Sequence, residues 1–86
     1  MRLDKYLKLT RLIKRREVAK VLINEGSILV NSHKAKPGYE VKINDKIFIK
    51  LGRRAITIQV MNVFDNVKKE NASDLYEIIK NELTTI

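Results

Sequence analysis

Five cations fall within ten residues, at Arg11, Lys14, Arg15, Arg16 and Lys20, and a sixth, Arg2, stands near the N-terminus. Lysine outnumbers arginine 12 to 6 in the chain, yet this cluster holds three of the six arginines. A guanidinium forks onto phosphate oxygens and stacks on bases, whereas an ammonium is a point charge. The chemistry open to these residues is anion binding, and their density suits a polyanion. The balance along the chain agrees. Residues 1–56 carry 15 Lys and Arg against 5 Asp and Glu, while residues 57–86 carry 3 against 5. Such asymmetry points to nucleic acid.

Other chemistry is poorly provided for. The three glycines lie at 26, 38 and 52, which is no phosphate-loop spacing. There is no cysteine, so disulfides, thiolate metal sites and thiol catalysis are excluded. The single histidine, His33, cannot build a zinc site alone. It reads as a solvated turn residue or an RNA contact. Ser27, Ser32 and Ser73 have only His33 as a base and lack a strained nucleophile turn. Asp65, Glu70, Asp74, Glu77 and Glu82 fall in polar loop or surface positions, so no carboxylate pair sits in an apolar setting. The expectation is a protein that is not an enzyme, with no cofactor, no metal and no small-molecule substrate.

The elements that must position the cations follow from periodicity. Leu3, Tyr6, Leu7 and Thr10 have i, i+3, i+4, i+7 spacing and predict a helix over Arg2 to Thr10. Asp4 in its first turn suits the helix dipole; alternatively it orients Arg2 or a basic side chain of the next helix. Leu12 and Ile13 read as a buried elbow. A second helix is expected from Lys14 or Arg15 to Glu25, its repeat marked by Val18, Val21, Leu22 and Glu25, with Ala19 and Ile23 flanking. Gly26 suits its C-terminus. Lys14 and Arg15 are poor caps, and cations there oppose the dipole at a cost of a few tenths of a kcal/mol each. A sequence that accepts this local cost marks a candidate functional site, and the free N–H groups there suit phosphate.

From Ser27 the period changes to that of strands. Ile28 to Val30 is followed by a turn at Asn31-Ser32-His33, with Lys34 to Lys36 pairing back. Pro37-Gly38 breaks the chain, Glu40 to Ile43 alternates, and Asn44-Asp45 is a turn pair. Lys46 to Lys50 and Ala55 to Val63 read as strands, the latter with Ile56, Ile58 and Val60 on one face. Asp65 to Ala72 reads as a polar loop. Ser73 to Leu83 reads as an amphipathic helix capped by Ser73 or Asp74, with Leu75, Ile78, Ile79 and Leu83 on one face. Eighty-six residues make one domain with a thin core, burying about 60% of the unfolded chain's surface. We divide it into residues 1–64, helices with sheet, and residues 65–86, a loop and helix packed on the same domain. The N-terminus lacks a secretory signal, and no run approaches the roughly 18 apolar residues of a membrane span. A cytoplasmic location without a membrane partner is expected.

The helix, turn and strand resemble the S4 RNA-binding domain family. The residues that carry the likeness are Arg16-Glu17-Val18-Ala19, Leu22-Ile23, Gly26, Ile28 and Val30-Asn31, then Lys36-Pro37, Val41-Lys42-Ile43 and Asp45-Lys46-Ile47. Two positions depart from the pattern: Ser32 stands where glycine is common, and Asn44 precedes Asp45 where Gly-Asp is common. The second departure is mild, because asparagine accepts the left-handed region; the first leaves the geometry of the 31–33 turn open. The resemblance implies a small α+β domain of the αL type. Two N-terminal helices would pack on a short, twisted, mostly antiparallel sheet, with the C-terminal amphipathic helix added. Residues 1–8, 11–16 and 76–80 resemble the stand-alone short members of the family that serve bacterial ribosome quality control. That likeness implies binding to a stalled large (50S) ribosomal subunit with its peptidyl-tRNA. The contacts would be to 23S rRNA and the tRNA, in support of alanine tailing by RqcH.

On this reading Arg2, Arg11, Lys14, Arg15, Arg16 and Lys20 grip phosphates along an L-shaped edge of the two helices. Asn31 and Lys34 extend the surface from the adjoining turn, and the protein works as a monomer. Six cations exceed one face, so Lys14 or Arg15 is expected in solvent. Four alternatives stay open: a ribosome assembly factor, a heat-shock-type factor recycling large subunits, a DNA-binding helix-turn-helix protein, and an adaptor that docks through Leu75, Ile78 and Ile79.

Overall fold

The computed structural model describes residues 1–64 and 68–83. In chain order these form helices α1 (Leu3–Leu9) and α2 (Arg16–Asn24), strands β1 (Ile28–Val30), β2 (His33–Lys34), β3 (Lys46–Leu51) and β4 (Arg54–Val60), a 3-10 helix (Lys69–Leu75), and β5 (Tyr76–Leu83). The strands make one antiparallel sheet in the order β2-β1-β3-β4-β5.

The stripe predicted for α1 is buried in full: Leu3, Tyr6, Leu7 and Thr10. The Arg2 side chain makes no capping bond. Instead the Leu3 N–H donates to the Tyr39 carbonyl at 2.8 Å and the Asp4 N–H to the Pro37 carbonyl at 3.2 Å. The loop after β2 thus satisfies donors that a short helix leaves open.

α2 faces the core with a neighbouring stripe. Ala19 and Ile23 are fully buried, whereas Val18 is 46% and Val21 61% exposed, so the expected repeat of Val18, Val21, Leu22 and Glu25 is corrected. Two adjacent i, i+3, i+4 stripes share Leu22, and periodicity does not rank them. Packing ranks them, because close approach to α1 needs the smallest side chain, Ala19, at the contact. The helix ends as expected. Gly26 has φ +85°. Its N–H donates to the Ile23 carbonyl at 3.2 Å, and the Ser27 N–H to the Leu22 carbonyl at 3.0 Å, the paired bonds of a Schellman ending.

Ile28, Val30, Ile47, Ile49, Ile56, Ile58 and Val60 point to the helix side and close the core with Leu3, Tyr6, Leu7, Ile13, Ala19 and Ile23. The hairpin loop between Val30 and His33 has just two residues, Asn31 and Ser32, at φ +51° and +69°. This is the twist-matched turn that ordinarily carries Asn-Gly; Ser32 accepts the left-handed region in glycine's place. Lys36 stays outside the pairing, and the alternating Glu40–Ile43 stretch forms no strand. Glu40 makes only an isolated bridge with Arg2, and the Val41 N–H donates to the Met1 carbonyl at 2.9 Å.

The C-terminal helix expected over Ser73 to Leu83 is absent. Residues 69–75 form the 3-10 helix, and residues 76–83 form β5, paired along the whole of β4. Of the expected polar loop, residues 65–67 lie outside the described residues, as do residues 84–86 beyond the strand. A register shift explains the misreading. Ile58 pairs with Ile78 and Thr57 with Lys80, so Ile79 is an extra residue, a bulge. The bulge breaks the two-residue alternation and leaves Leu75, Ile78, Ile79 and Leu83 at a spacing that mimics a helix. Without β5, β4 would be a bare edge. The Tyr6 hydroxyl donates to the Leu75 carbonyl at 2.7 Å and ties α1 to this segment, and burial pushes its pKa well above the usual phenol value.

Candidate nucleic-acid interface

Asp4 is the centre of the basic edge. Its carboxylate is wholly buried. Oδ1 accepts from Arg2 Nε at 3.1 Å and from the Lys5 backbone N–H at 2.8 Å; Oδ2 accepts from Arg2 Nη2 at 3.3 Å. Arg16 Nε lies 3.1 Å from the same Oδ2. It is buried and misaligned for a hydrogen bond, so this contact is an ion pair held by charge. Burial alone would raise the carboxyl's pKa. The hydrogen bonds from Arg2 and the Lys5 N–H, with the charge of Arg16, outweigh it and hold Asp4 below its ordinary value.

The consequence is positional. One carboxylate from α1 fixes two guanidinium groups, one before α1 and one at the start of α2. The side chains remain 53% exposed at Arg2 and 38% at Arg16. Two positive charges against one negative leave an excess facing outward. The Asp4 side chain performs both roles weighed for it: it orients the two arginines and accepts the first-turn Lys5 N–H. Arg2 also lies over Gly38, its Cζ 3.8 Å from where a Cβ would stand.

The elbow places the next cation. The buried Thr10 hydroxyl donates to the Leu7 carbonyl at 2.7 Å and accepts the Leu12 N–H at 3.3 Å. Arg11 between them takes φ +66° and projects into solvent. An arginine in this region carries a cost of roughly 1–2 kcal/mol, and strain of this kind gathers at functional sites. Lys14 and Arg15 are both exposed. Arg15 is the N-cap of α2, with extended backbone and no side-chain cap bond. Lys20 is half-buried and 3.5 Å from Glu17, so part of its charge is spent within the helix.

The turn residues separate from this edge. Asn31 is engaged at both ends: Nδ2 donates to Asp45 Oδ1 at 3.1 Å, and Oδ1 accepts the Lys46 N–H at 3.0 Å. Asp45 Oδ2 accepts from the Tyr39 hydroxyl at 2.8 Å and the Lys42 N–H at 2.9 Å. Asp45 is buried, which would raise its pKa, but the Lys42 N–H, Tyr39 and Asn31 together hold it below the ordinary value. Asn31 therefore braces the turn. Lys34 pairs with Leu29, which faces away from the helices, so Lys34 belongs to the opposite side of the sheet. His33 is exposed opposite Val30. Sequence reasoning missed the Tyr39–Asp45–Asn31 network, because nothing in the spacing links residues that only the sheet brings together.

Two short helices with a buried carboxylate pivot, backed by an antiparallel sheet, present a basic edge with two fixed arginines. The family model described as the S4 domain matches residues 1–47, and the chain belongs to this family of RNA-binding proteins. It is 50% identical over 84 residues to the "RQC P-site tRNA stabilizing factor" of Listeria monocytogenes, covering 98% of this chain and 91% of the relative. A protein of the same name from Bacillus subtilis is 44% identical over 82 residues, 95% of each chain. Among solved structures, trimeric Heat Shock Protein 15 of Vibrio cholerae superposes with a TM-score of 0.85 at 30% identity, covering 91% of this chain and 80% of that one.

Proposed function

We propose that this protein binds a stalled large ribosomal subunit and stabilises the peptidyl-tRNA in its P site. The observation that carries the reading is the buried Asp4 holding Arg2 and Arg16 on one exposed edge, in a chain half-identical to a relative named for that task. Duplex RNA offers little base identity to side chains, so a module like this recognises phosphate positions and shape. Arg2 and Arg16 are the fixed contacts. Arg11, Lys14 and Arg15 extend the edge around the elbow, and Lys20 contributes a weakened charge. The partners are 23S rRNA and the tRNA. By keeping the tRNA in place the protein supports RqcH as it adds alanine to the stalled peptide. It acts as a monomer in the cytoplasm, by geometry alone, making and breaking no bond.

The test is co-sedimentation with large subunits carrying peptidyl-tRNA. Wild type is expected to travel with the particle, and a folded Arg2→Ala/Arg16→Ala variant to remain at the top of the gradient. Unchanged co-migration of the variant would remove these residues from the contact set. The likeness to Heat Shock Protein 15 favours a second reading, a heat-shock-type factor that recycles large subunits. A crosslinking map separates the two: tRNA and subunit RNA recovered together support stabilisation, whereas subunit RNA alone supports recycling or assembly.

A further inference from the structure

The sheet has a second face that the helices leave open. Across it runs a row set by strand register, Leu29 on β1, Phe48 on β3 and Thr57 on β4, each half-buried. Lys46 and Lys50 flank Phe48 two residues away on the same strand, and Lys34 stands opposite Leu29. Leu29, Ser32, Lys46, Phe48 and Thr57 line a shallow cleft of about 270 Å³. That is below the roughly 300–1,000 Å³ of a small-molecule pocket. Among the described residues Lys34, Lys46 and Lys50 form no ion pair. The carboxylates of this face, Glu77 and Glu82, lie on the far strand β5, where Glu82 pairs with Lys80 at 2.7 Å.

We propose that this face is a second RNA contact, for an unpaired segment: one base stacks on the Phe48 ring in the cleft, and Lys34, Lys46 and Lys50 hold the flanking phosphates. The inference rests on the RNA-binding reading above and adds a separate surface to it. Three features select the occupant. The cations sit around an aromatic centre, the arrangement that single strands use, with stacking for the base and charge for the backbone. The acidic groups confine the path to β2, β1 and β3. Phe48 lies within a pleated surface, which a base can reach only when it is unstacked from its own helix. The protein then has an arginine edge for structured RNA on one side and a lysine-aromatic face for a single strand on the other.

The test uses the full chain, a short single-stranded oligoadenylate and a structured RNA hairpin, with affinities from fluorescence anisotropy and contacts from methyl and aromatic NMR shifts. Phe48→Leu keeps the apolar volume and removes the ring. It is expected to weaken oligoadenylate binding roughly tenfold, the loss of one base stack, and to leave hairpin binding unchanged. Lys46→Gln/Lys50→Gln, at two exposed positions, should reduce oligoadenylate affinity and lower its salt slope by about 1.4. Oligoadenylate should shift the Leu29 and Thr57 methyl signals. Unmoved signals, or equal oligoadenylate affinity for wild type and a folded Phe48→Leu, would overturn the proposal. Failure of the underlying reading looks different: the hairpin itself would not bind, or would bind Arg16→Ala as well as wild type.

Discussion

Asp4 Oδ2 and Arg16 Nε are 3.1 Å apart, twelve positions distant in sequence, with the carboxylate fully buried and the guanidinium partly exposed. The contact joins the start of α1 to the start of α2. Because Arg2 shares the same carboxylate, the ion pair sets the spacing of the two arginines as well as the packing of the two helices.

Asp4→Asn should therefore damage binding without removing any phosphate contact. The amide can still accept the Lys5 N–H, but it presents no charge to Arg2 and Arg16. We expect a loss of about 1–3 kcal/mol in stability, the usual scale for a broken buried polar contact, read by urea unfolding. RNA affinity should fall further than that of Lys14→Ala, whose side chain is exposed and unbraced.

Stability should depend on acid in one direction. Asp4 and Asp45 both have folded pKa values below the ordinary 3.8. A depressed carboxylate stabilises the fold fully above its unfolded value. That contribution shrinks as pH falls through the ordinary value and is gone below the folded one. Thermal unfolding is expected to hold steady from neutral pH to about 5 and to weaken progressively below it. Asp45→Asn should flatten the acid limb, since one of the two groups no longer titrates.

The hairpin turn offers a gain. Ser32 sits at φ +69°. Ser32→Gly should raise stability by about 0.5–1 kcal/mol, the relief of left-handed strain less glycine's greater unfolded freedom. Chemical denaturation measures it, and affinity for the structured RNA hairpin, which is read by the arginine edge, should not change.

Binding should weaken steeply with salt. With about five phosphates neutralised, the slope of log K against log salt is expected near −3.5 to −4.5. Arg2→Ala/Arg16→Ala should reduce its magnitude by about 1.4–1.8, and a slope near zero for wild type would sink the electrostatic mechanism.

The C-terminal segment tests a different bond. Tyr6→Phe removes the hydroxyl that reaches the Leu75 carbonyl, which still accepts the Met61 and Asn62 N–H groups. A modest loss of about 0.5–1.5 kcal/mol in urea unfolding is expected.

Much of the molecule was legible in the linear chain. The α1 stripe, the Gly26 stop and the Ile56, Ile58, Val60 face each rest on local periodicity or on one residue's backbone preference, and such properties need no distant partner. The cation density from Arg11 to Lys20 was countable for the same reason, and it is the source of the expectation of an anion site. Tertiary structure decided the rest. Only packing against α1 chose Ala19 and Ile23 over Val18 and Val21 as the inner stripe. Only the bare edge of β4 turned residues 76–83 into a strand, where a bulge at Ile79 had disguised the alternation. The sheet's register sent Lys34 to the face opposite the arginines and closed the Asn31–Asp45–Tyr39 network. Asp4 shows the division most clearly. Its type and place suggested a partner among the cations. Which cations, and that one buried carboxylate would hold two of them, depended on where the elbow at Thr10 and Arg11 brought the second helix.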